Sequence, residues 1–364
     1  MISVVKASTK PDSLLETIWF FVMRTRKKIV ILIGLTISLL AGCGSNSAHT
    51  YVFDGATMGT YYSVKVVSAE SLNATQVSAL DVGIASELDR INSLMSSYDD
   101  ESELSRFNSS PVGLPFSLSA PTFDVLTESL ALFESTGGAF DISVSSLVEL
   151  WGFGVSSAPE TTPNKAAITT AKAKVGLDRL VLKAPDLIAV KRGSLELNVS
   201  AIAKGYAVDQ VARYLNTKTL VGYLVEVGGE ISAAGTKASG KVWRVGIEVP
   251  ARESRTAYAT LALNERAIAT SGDYRNFLDL DGRRYSHTID PRTGYPVEHH
   301  LASVSVVADR CSTADALATA LMVMGENEGY EYAQNNSLDA LFIVRDGDEF
   351  RNKATGSLRS LVNR

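Results

Sequence analysis

The chain has 364 residues, of which 45% are hydrophobic and 21% are charged. This composition excludes a disordered or fibrous protein and is typical of one large globular domain or two smaller ones. The net charge of −5 and the two cysteines, which form no CxxC pair, argue against a nucleic-acid-binding protein, a disulfide scaffold and a thiolate zinc site.

The N-terminal segment has the pattern of an export signal. Basic residues concentrated at positions 24–28 precede an uncharged, mostly apolar run at positions 29–42. A helix that spans a membrane needs about 20 such residues, so this shorter run favours a signal peptide. Met23 is then the natural start, and residues 1–22 are interpreted as an upstream extension.

The apolar run ends in Leu40-Ala-Gly-Cys43, which resembles the lipoprotein box of bacterial proteins, in which the cysteine becomes the lipidated first residue. We therefore expect residues 1–42 to be extension and signal, residues 43–50 to be a polar tether, and residues 51–364 to be the exported domain. The expected location is the periplasmic side of a bacterial membrane, at either the inner or the outer membrane, with several acyl chains on the cysteine as the anchor. An uncleaved N-terminal anchor with an incidental cysteine is the alternative.

From residue 51 onward, the hydrophobic pattern predicts strands at residues 51–53 and 61–67 around a turn at residues 55–60. Apolar residues then recur every three or four positions over residues 76–95, which predicts an amphipathic helix. A polar loop is expected at residues 96–110.

The remaining elements follow in blocks. A helix is predicted at residues 119–135, with Ser119 as its cap and Pro121 in its first turn. A hairpin at 180–197, a helix at 201–215 and short strands over 223–306 follow. The last elements are a helix at 313–324, capped by Ser312 or Thr313, a helix at 328–335 and a strand at 340–344. Because strands and helices come in blocks and not in strict alternation, the predicted fold class is α+β.

Common catalytic signatures are absent from the sequence. It contains no GxxxxGK[ST] phosphate loop, no GxGxxG after a strand, and neither HExxH nor GxSxG. The four histidines provide little material for a histidine-rich metal site. If the protein is an enzyme with a metal, we expect oxygen ligands and therefore magnesium or calcium.

Polar and glycine-rich clusters nevertheless follow one another along the chain. They are MSSY at 95–98, SELSRFN at 102–108, GGAFD at 137–141, LWGFG at 150–154, NVSAIAKGY at 198–206, EVGGE at 226–230, TSGDY at 270–274, HTIDPRTG at 287–294 and TADALAT at 313–319. Their types and order resemble the ApbE-type flavin transferases over residues 57–341. The resemblance implies that family's α+β, T-fold-like arrangement of helices and antiparallel sheets, with FAD in a cleft between its parts.

The resemblance also implies an activity. ApbE-type enzymes are magnesium-dependent periplasmic lipoproteins that split the pyrophosphate of FAD, join FMN through a phosphoester to a threonine of a target protein, and release AMP. Their targets are subunits of sodium-pumping or electron-transferring redox complexes in membranes. Two alternatives stay open for this chain: a magnesium-dependent FAD pyrophosphatase, in which water replaces the threonine, and a lipoprotein that binds FAD without catalysis.

By the same resemblance, magnesium is expected at Asp315, Thr319 and the backbone carbonyl of Ala201. Asp315 and Thr319 are four residues apart, so their side chains share one face of a helix. A carboxylate, a hydroxyl and a carbonyl suit a hard cation that keeps waters for a phosphate. Without the resemblance, Asp315 would be interpreted as an ordinary acidic residue in the first turn of a helix, where the helix dipole favours a negative charge. Ala318 stands where some relatives carry Ser or Asp, so a third side-chain ligand is missing.

Contacts to FAD are implied at Met58, Tyr98, Ala139, Phe140, Asp141, Asn198, Lys204 and Ile289. Asn198 stands where the family usually has Asp, which weakens the contact expected there. It is expected at a strand end that leads into a helix, whose free backbone N–H groups, together with Lys204, favour an anion. Phe140 and Tyr98 are aromatic rings that could contact adenine or flavin, although an isolated Phe or Met is usually a core residue.

His287 is expected to be catalytic together with Asp315. An imidazole titrates near neutral pH, so it can accept the proton of an attacking threonine hydroxyl or help to position a phosphate. Taken alone, the same residue is equally well explained as a half-buried strand histidine bonded to the backbone.

Overall fold

A large antiparallel sheet organises the computed structural model of the chain. The structure describes residues 48–154, 159–251, 256–273, 277–347 and 349–362. The predicted signal peptide, Met23 and Cys43 lie outside these ranges. Among the described residues, no helix has both the length and the apolar character needed to cross a membrane.

Seven α-helices lie in the described ranges. In chain order they are α1 (Ala74–Met95), α2 (Glu103–Ser109), α3 (Ala120–Ser135), α4 (Ser145–Leu150), α5 (Lys165–Lys172), α6 (Ala203–Asn216) and α7 (Cys311–Asn335). Two short 3₁₀ turns occupy Leu177–Arg179 and Gly356–Leu361.

The strands are short except for those of the central sheet. In chain order they are β1 (His49–Thr57), β2 (Thr60–Ser68), β3 (Phe116–Ser117), β4 (Leu180–Lys183), β5 (Ile188–Lys191), β6 (Gly222–Val227), β7 (Glu230–Gly235), β8 (Trp243–Glu248), β9 (Ala257–Leu263), β10 (Arg266–Gly272), β11 (Phe277–Leu280), β12 (Arg283–Ser286), β13 (Ile289–Asp290), β14 (Tyr295–Pro296), β15 (Leu301–Ala308), β16 (Asp339–Asp346) and β17 (Glu349–Ala354).

The central sheet has eight strands in the order β1-β2-β6-β7-β10-β15-β16-β17, and every neighbouring pair is antiparallel. The other strands form β3-β5-β4 and the hairpins β8-β9, β11-β12 and β13-β14. This mixture of helices with antiparallel sheets confirms the predicted α+β class.

Both faces of the central sheet are buried, because its side chains alternate between two cores. Val64 and Val225 belong to a core formed with α1, α3 and α6, which we call the helix-side core. Val67 and Leu224 instead belong to a second core that the β8-β9 hairpin closes. Burial on both faces also explains why β15 is a nearly continuous apolar run.

The N-terminal ends of α6 and α7 meet in close backbone contact. A Cβ atom on Gly205, in the first turn of α6, would lie 2.4 Å from the carbonyl oxygen of Cys311, the first residue of α7. Glycine allows this approach because it has no Cβ. Cys311 is fully buried, as expected for a small apolar residue. The contact sets the first turns of the two helices side by side.

Most of the predicted elements before residue 220 are confirmed, with two local differences. The polar loop expected at residues 96–110 contains α2, which Ser102 caps by accepting a hydrogen bond from the backbone of Ser105. Ser119 is the N-cap residue of α3, as predicted, but its side chain does not cap the helix. Its hydroxyl donates instead to Glu103, 2.7 Å away.

Of two predictions about α7, the one about its N-cap is wrong and the one about its division is confirmed. The helix begins at Cys311, with Arg310 as its N-cap residue, so neither Ser312 nor Thr313 caps it. The hydroxyls of Ser312 and Thr313 donate to a neighbouring carboxylate on α3. The prediction of two helices, at residues 313–324 and 328–335, is confirmed, because a kink at Gly325, where φ is 78°, divides α7 into two helical parts.

Candidate active site

One cavity of about 820 Å³ collects residues that are far apart in the chain. Its walls come from the loop after α1, from α2, from residues 139–154 and 196–204, from the β6-β7 turn, the end of β10, residues 287–291 and one face of α7. Each cluster noted in the sequence contributes at least one residue. The volume is typical of a cofactor or small-molecule site.

Asp315 and Thr319 lie on the cavity-facing side of α7, as their spacing predicts. Asp315 is buried, and its Oδ2 accepts a hydrogen bond from the backbone N–H of Gly205 at 3.0 Å. The hydroxyl oxygen of Thr319 lies 3.3 Å from that of Ser271 on β10. Ala201 lines the same cavity, just before α6. All three residues expected to bind magnesium therefore line one cavity.

Lys204 reaches this wall from the first turn of α6. Its Nζ lies 3.4 Å from Glu230 Oε1 and 3.7 Å from Asp315 Oδ2. The Lys204 side chain keeps 29% of its surface exposed, whereas both carboxylates are buried. Although burial lowers the pKa of Lys204, the charges of Asp315 and Glu230 raise it more, to above its ordinary value. The ammonium is therefore firmly charged.

Glu230 is the residue of this wall to which the sequence assigned no role. Burial and the charge of Asp315 raise the pKa of Glu230, and the Lys204 ammonium opposes that rise. It follows the turn at Gly228 and Gly229, where φ is 64° and 109°. The sequence signal is an acidic residue directly after a Gly-Gly pair. Its burial, which almost always requires a partner, is seen only in the structure.

The predicted anion site at the start of α6 is partly used by the protein itself. The N–H of Gly205 in this first turn donates to Asp315. Asn198 does not stand at a strand end, because β5 ends at Lys191 and the intervening chain is irregular. Asn198 Oδ1 instead accepts a hydrogen bond from the backbone of Ser200 at 2.9 Å. Asn198 still lines the cavity.

Ala139, Phe140 and Asp141 line the cavity but are themselves buried. Phe140 belongs to the helix-side core, in which it is 1% exposed. Asp141 Oδ1 accepts hydrogen bonds from both the backbone N–H and the hydroxyl of Ser143, and burial raises the pKa of Asp141 above its ordinary value. This segment therefore forms a firmly held wall.

Tyr98 is 72% exposed and lines the cavity together with His287 and Ile289. The imidazole of His287 meets the ring of Phe153 edge-on, with the ring centroids 6.4 Å apart. Met58 is not among the lining residues. It occupies the β1-β2 turn with φ of 49° and packs against the helix-side core.

The wall around Asp315 suits a hard cation. Within the described ranges, no group of three or more His, Cys, Asp and Glu side chains is arranged to hold a metal. Asp315, Thr319 and the Ala201 carbonyl are all oxygen donors, and they leave positions for water or phosphate, as magnesium prefers. Glu230 Oε2 is buried and has no hydrogen-bond partner among the described residues, so one acceptor atom of this wall has no donor. Ala318 is fully buried in another core and adds no ligand.

Comparison with curated proteins gives consistent relatives over almost the whole chain. A Vibrio cholerae protein named FAD:protein FMN transferase is 38% identical over 329 residues, which cover 90% of this chain and 97% of that protein. A Haemophilus influenzae protein of the same name is 38% identical over 338 residues, which cover 92% of this chain and 97% of that protein.

The solved structures agree. The apo flavinyl transferase ApbE of Pseudomonas stutzeri superposes with a TM-score of 0.79 at 36% identity, covering 87% of this chain and 98% of that one. The flavin transferase ApbE of Vibrio cholerae gives a TM-score of 0.78 at 38% identity, covering 86% and 99%. Residues 58–342 match the model of the ApbE family. With its fold and nearly its full length matched, this chain belongs to the ApbE family.

Proposed function

We propose that this chain is an FAD:protein FMN transferase, which moves FMN from FAD onto a threonine hydroxyl of a target protein and releases AMP. The observation that carries the proposal is the single cavity that gathers Lys204, Asp315, Thr319 and His287 in a member of the ApbE family. Phosphoryl-type transfer depends mainly on positioning and charge neutralisation, and these residues supply both.

Lys204 is suited to hold the diphosphate of FAD. Its ammonium keeps its charge, lies beside the cavity and retains exposed surface for a ligand. A lysine acts on phosphate as a point charge and does not require a fixed bidentate geometry. Tyr98, which is exposed at the cavity wall, offers a ring face against which adenine or flavin can stack.

Magnesium is part of this proposal. Asp315, Thr319 and the carbonyl of Ala201 would hold it, and when bound it would neutralise charge on the phosphate oxygens. The buried carboxylate of Asp315 is fixed for that task by the N–H of Gly205.

His287 is suited to assist the acceptor. In the proposed step the threonine oxygen forms a bond to the phosphorus of the FMN half, and the bridging P–O bond to the AMP half breaks. His287 takes the hydroxyl proton, and AMP leaves with the bridging oxygen. Glutamine in place of His287 should therefore slow transfer without weakening FAD binding, and His300→Gln, at an exposed position, is the matched control.

We further propose that the enzyme acts outside the cytoplasm, held to a membrane by lipid on Cys43, and that its acceptor is a subunit of a membrane redox complex. The support is the basic, apolar and small-residue order of positions 24–43. Labelling cells with an alkyne fatty acid should mark the wild-type protein and leave the Cys43→Ser protein unlabelled.

The activity is tested by incubating the protein with FAD and Mg²⁺, with and without a candidate acceptor domain. Mass spectrometry should find the mass of FMN on one acceptor threonine, with AMP released in step. An acceptor in which that threonine is replaced by valine should stay unmodified.

Two other results would each replace the proposal. FMN and AMP formed at full rate without acceptor would make the protein an FAD pyrophosphatase. Tight FAD binding with no AMP from any acceptor tested would make it a binding protein.

A further inference from the structure

Three charged residues, Lys204, Glu230 and Asp315, form a cluster at the cavity wall. The Lys204 ammonium lies between two buried carboxylates, 3.4 Å from Glu230 and 3.7 Å from Asp315. One cation is therefore shared by two acids. The contact with Glu230 is the shorter one, and only that one lies within hydrogen-bonding distance.

Lys204 and a divalent cation would compete for the same carboxylate. Both described contacts of Asp315, with the Gly205 N–H and with Lys204, fall on Oδ2. A lysine that paired with Asp315 alone would place its positive charge beside the cation site. The lysine ammonium and a cation bound to the same carboxylate would repel each other strongly where water is excluded. Whatever holds the ammonium away from Asp315 therefore favours cation binding.

Glu230 is built to hold the ammonium. It is the first residue of β7 and pairs with Val227 across the hairpin, so the central sheet fixes its backbone. Its Oε2 has no hydrogen-bond partner in the described ranges, which leaves Lys204 as the group that its carboxyl engages. The turn before it lies close to the same side chain, since a Cβ on Gly228 would lie 3.3 Å from Lys204 Cδ and 3.0 Å from Thr60 Cγ2.

We propose that Glu230 is a positioning residue, which draws Lys204 toward β7 and thereby keeps the Asp315 carboxylate available to a divalent cation. The inference rests on the proposed function, because it takes Asp315 as a cation ligand. It assigns Glu230 no contact with substrate. In the loaded site, the lysine faces the phosphates while Glu230, not Asp315, carries its counter-charge.

The test uses Mn²⁺ alone as the probe, because its free concentration can be read by electron paramagnetic resonance without any turnover. Wild type, Glu230→Met, Lys204→Met and the double variant are titrated. Glu230→Met should raise the Mn²⁺ dissociation constant about tenfold, within the range of coupling between neighbouring charged residues. In the Lys204→Met background, the same change should have less than about a twofold effect, because the competing ammonium is gone.

The effect of Glu230→Met in the wild-type background, compared with its effect in the Lys204→Met background, decides the test. If Glu230→Met weakens Mn²⁺ binding equally with and without Lys204, Glu230 acts only through its own charge and the inference is overturned. Unchanged Mn²⁺ binding in Glu230→Met also overturns it. Glu226→Met is the matched control, since Glu226 lies in the same hairpin but bonds to Tyr61 outside this cluster, and it should bind Mn²⁺ like wild type.

A second variant keeps the test decisive if the methionine protein does not fold. Glu230→Gln preserves shape and a hydrogen-bond acceptor but loses the charge, and should give a smaller rise in the dissociation constant that again disappears with Lys204→Met. The two proposals also fail separately. Normal Mn²⁺ results without FMN transfer contradict only the proposed function, whereas wild type that does not bind Mn²⁺ contradicts the inference and the magnesium site together.

Discussion

Two clusters of charged side chains lie at neighbouring turns of α7, and they differ in how well they are satisfied. At the helix start, Asp209 accepts hydrogen bonds from the backbone N–H groups of Cys311 and Ser312, at 2.8 and 3.0 Å. Glu128 beside it takes two hydroxyl donors and pairs with Arg310 at 3.0 Å. One turn further, Asp315 and Glu230 share one lysine.

The difference indicates that the first cluster serves stability and the second serves ligand binding. Buried polar groups are normally paired, and the first cluster meets that expectation by closing the N-terminus of a helix. The second cluster leaves Glu230 Oε2 unpaired inside a cavity. Such incomplete satisfaction is expected where a ligand completes the site. The comparison predicts that changes in the first cluster reduce stability and changes in the second reduce activity.

The largest effect is expected for Asp315→Asn. Loss of the buried charge should lower the rate of FMN transfer at least about a hundredfold, the size seen when a preorganised electrostatic contact is removed. The rate is measured as AMP release with a saturating acceptor. Asp309→Asn is the control, because that side chain is 90% exposed just before α7. Transfer that survives in Asp315→Asn would remove this residue from the site.

Gly205→Ala tests the helix contact that joins the two clusters. The new methyl group would meet the Cys311 carbonyl, and forced overpacking of this kind costs about 2 kcal/mol in the free energy of unfolding. Urea denaturation measures it. Gly193→Ala is the control, since its Cβ would make only an ordinary contact at 3.4 Å and should change stability by less than about 0.5 kcal/mol. Equal stability of the two variants would contradict the tight approach.

Asp209→Ala tests the first cluster, at the start of α7. It leaves two backbone N–H groups of α7 without their acceptor, so the free energy of unfolding should fall by about 1–2 kcal/mol, as for other lost helix caps. The dissociation constant of the folded variant for FAD should lie within about twofold of the wild-type value, since Asp209 is not among the residues that line the cavity. Weak FAD binding at unchanged stability would break the division between the clusters.

The elements that local pattern determines were predictable. The three-and-four spacing over residues 76–95 gave α1, and the four-residue separation of Asp315 and Thr319 gave their shared face on α7. The start of α7 was not predictable in the same way. Ser312 and Thr313 are good capping residues, but their hydroxyls are drawn to Glu128 on a distant helix, and tertiary contacts override local preference.

The site was only partly predictable for the same reason. One of the N–H groups expected to be free beside Lys204, that of Gly205, is engaged by Asp315, a partner from far along the chain. Glu230 belongs to a cluster visible in the sequence, but its role could not be predicted, because that role depends on the contact with Lys204. Met58 stays a predicted FAD contact, although it lies outside the cavity wall. Sequence spacing shows which residues share an element, but not which elements meet.

The cavity walls run from Ser97 in the loop after α1 to Val323 in α7, with the β6-β7 turn between them. No contiguous fragment of the chain contains the site, so the pocket forms only when distant segments have closed onto the sheet, a slow and entropically expensive step. Occupation of the pocket must then favour the complete fold over every partly assembled one, and ligand concentration should set the temperature at which the whole unit melts.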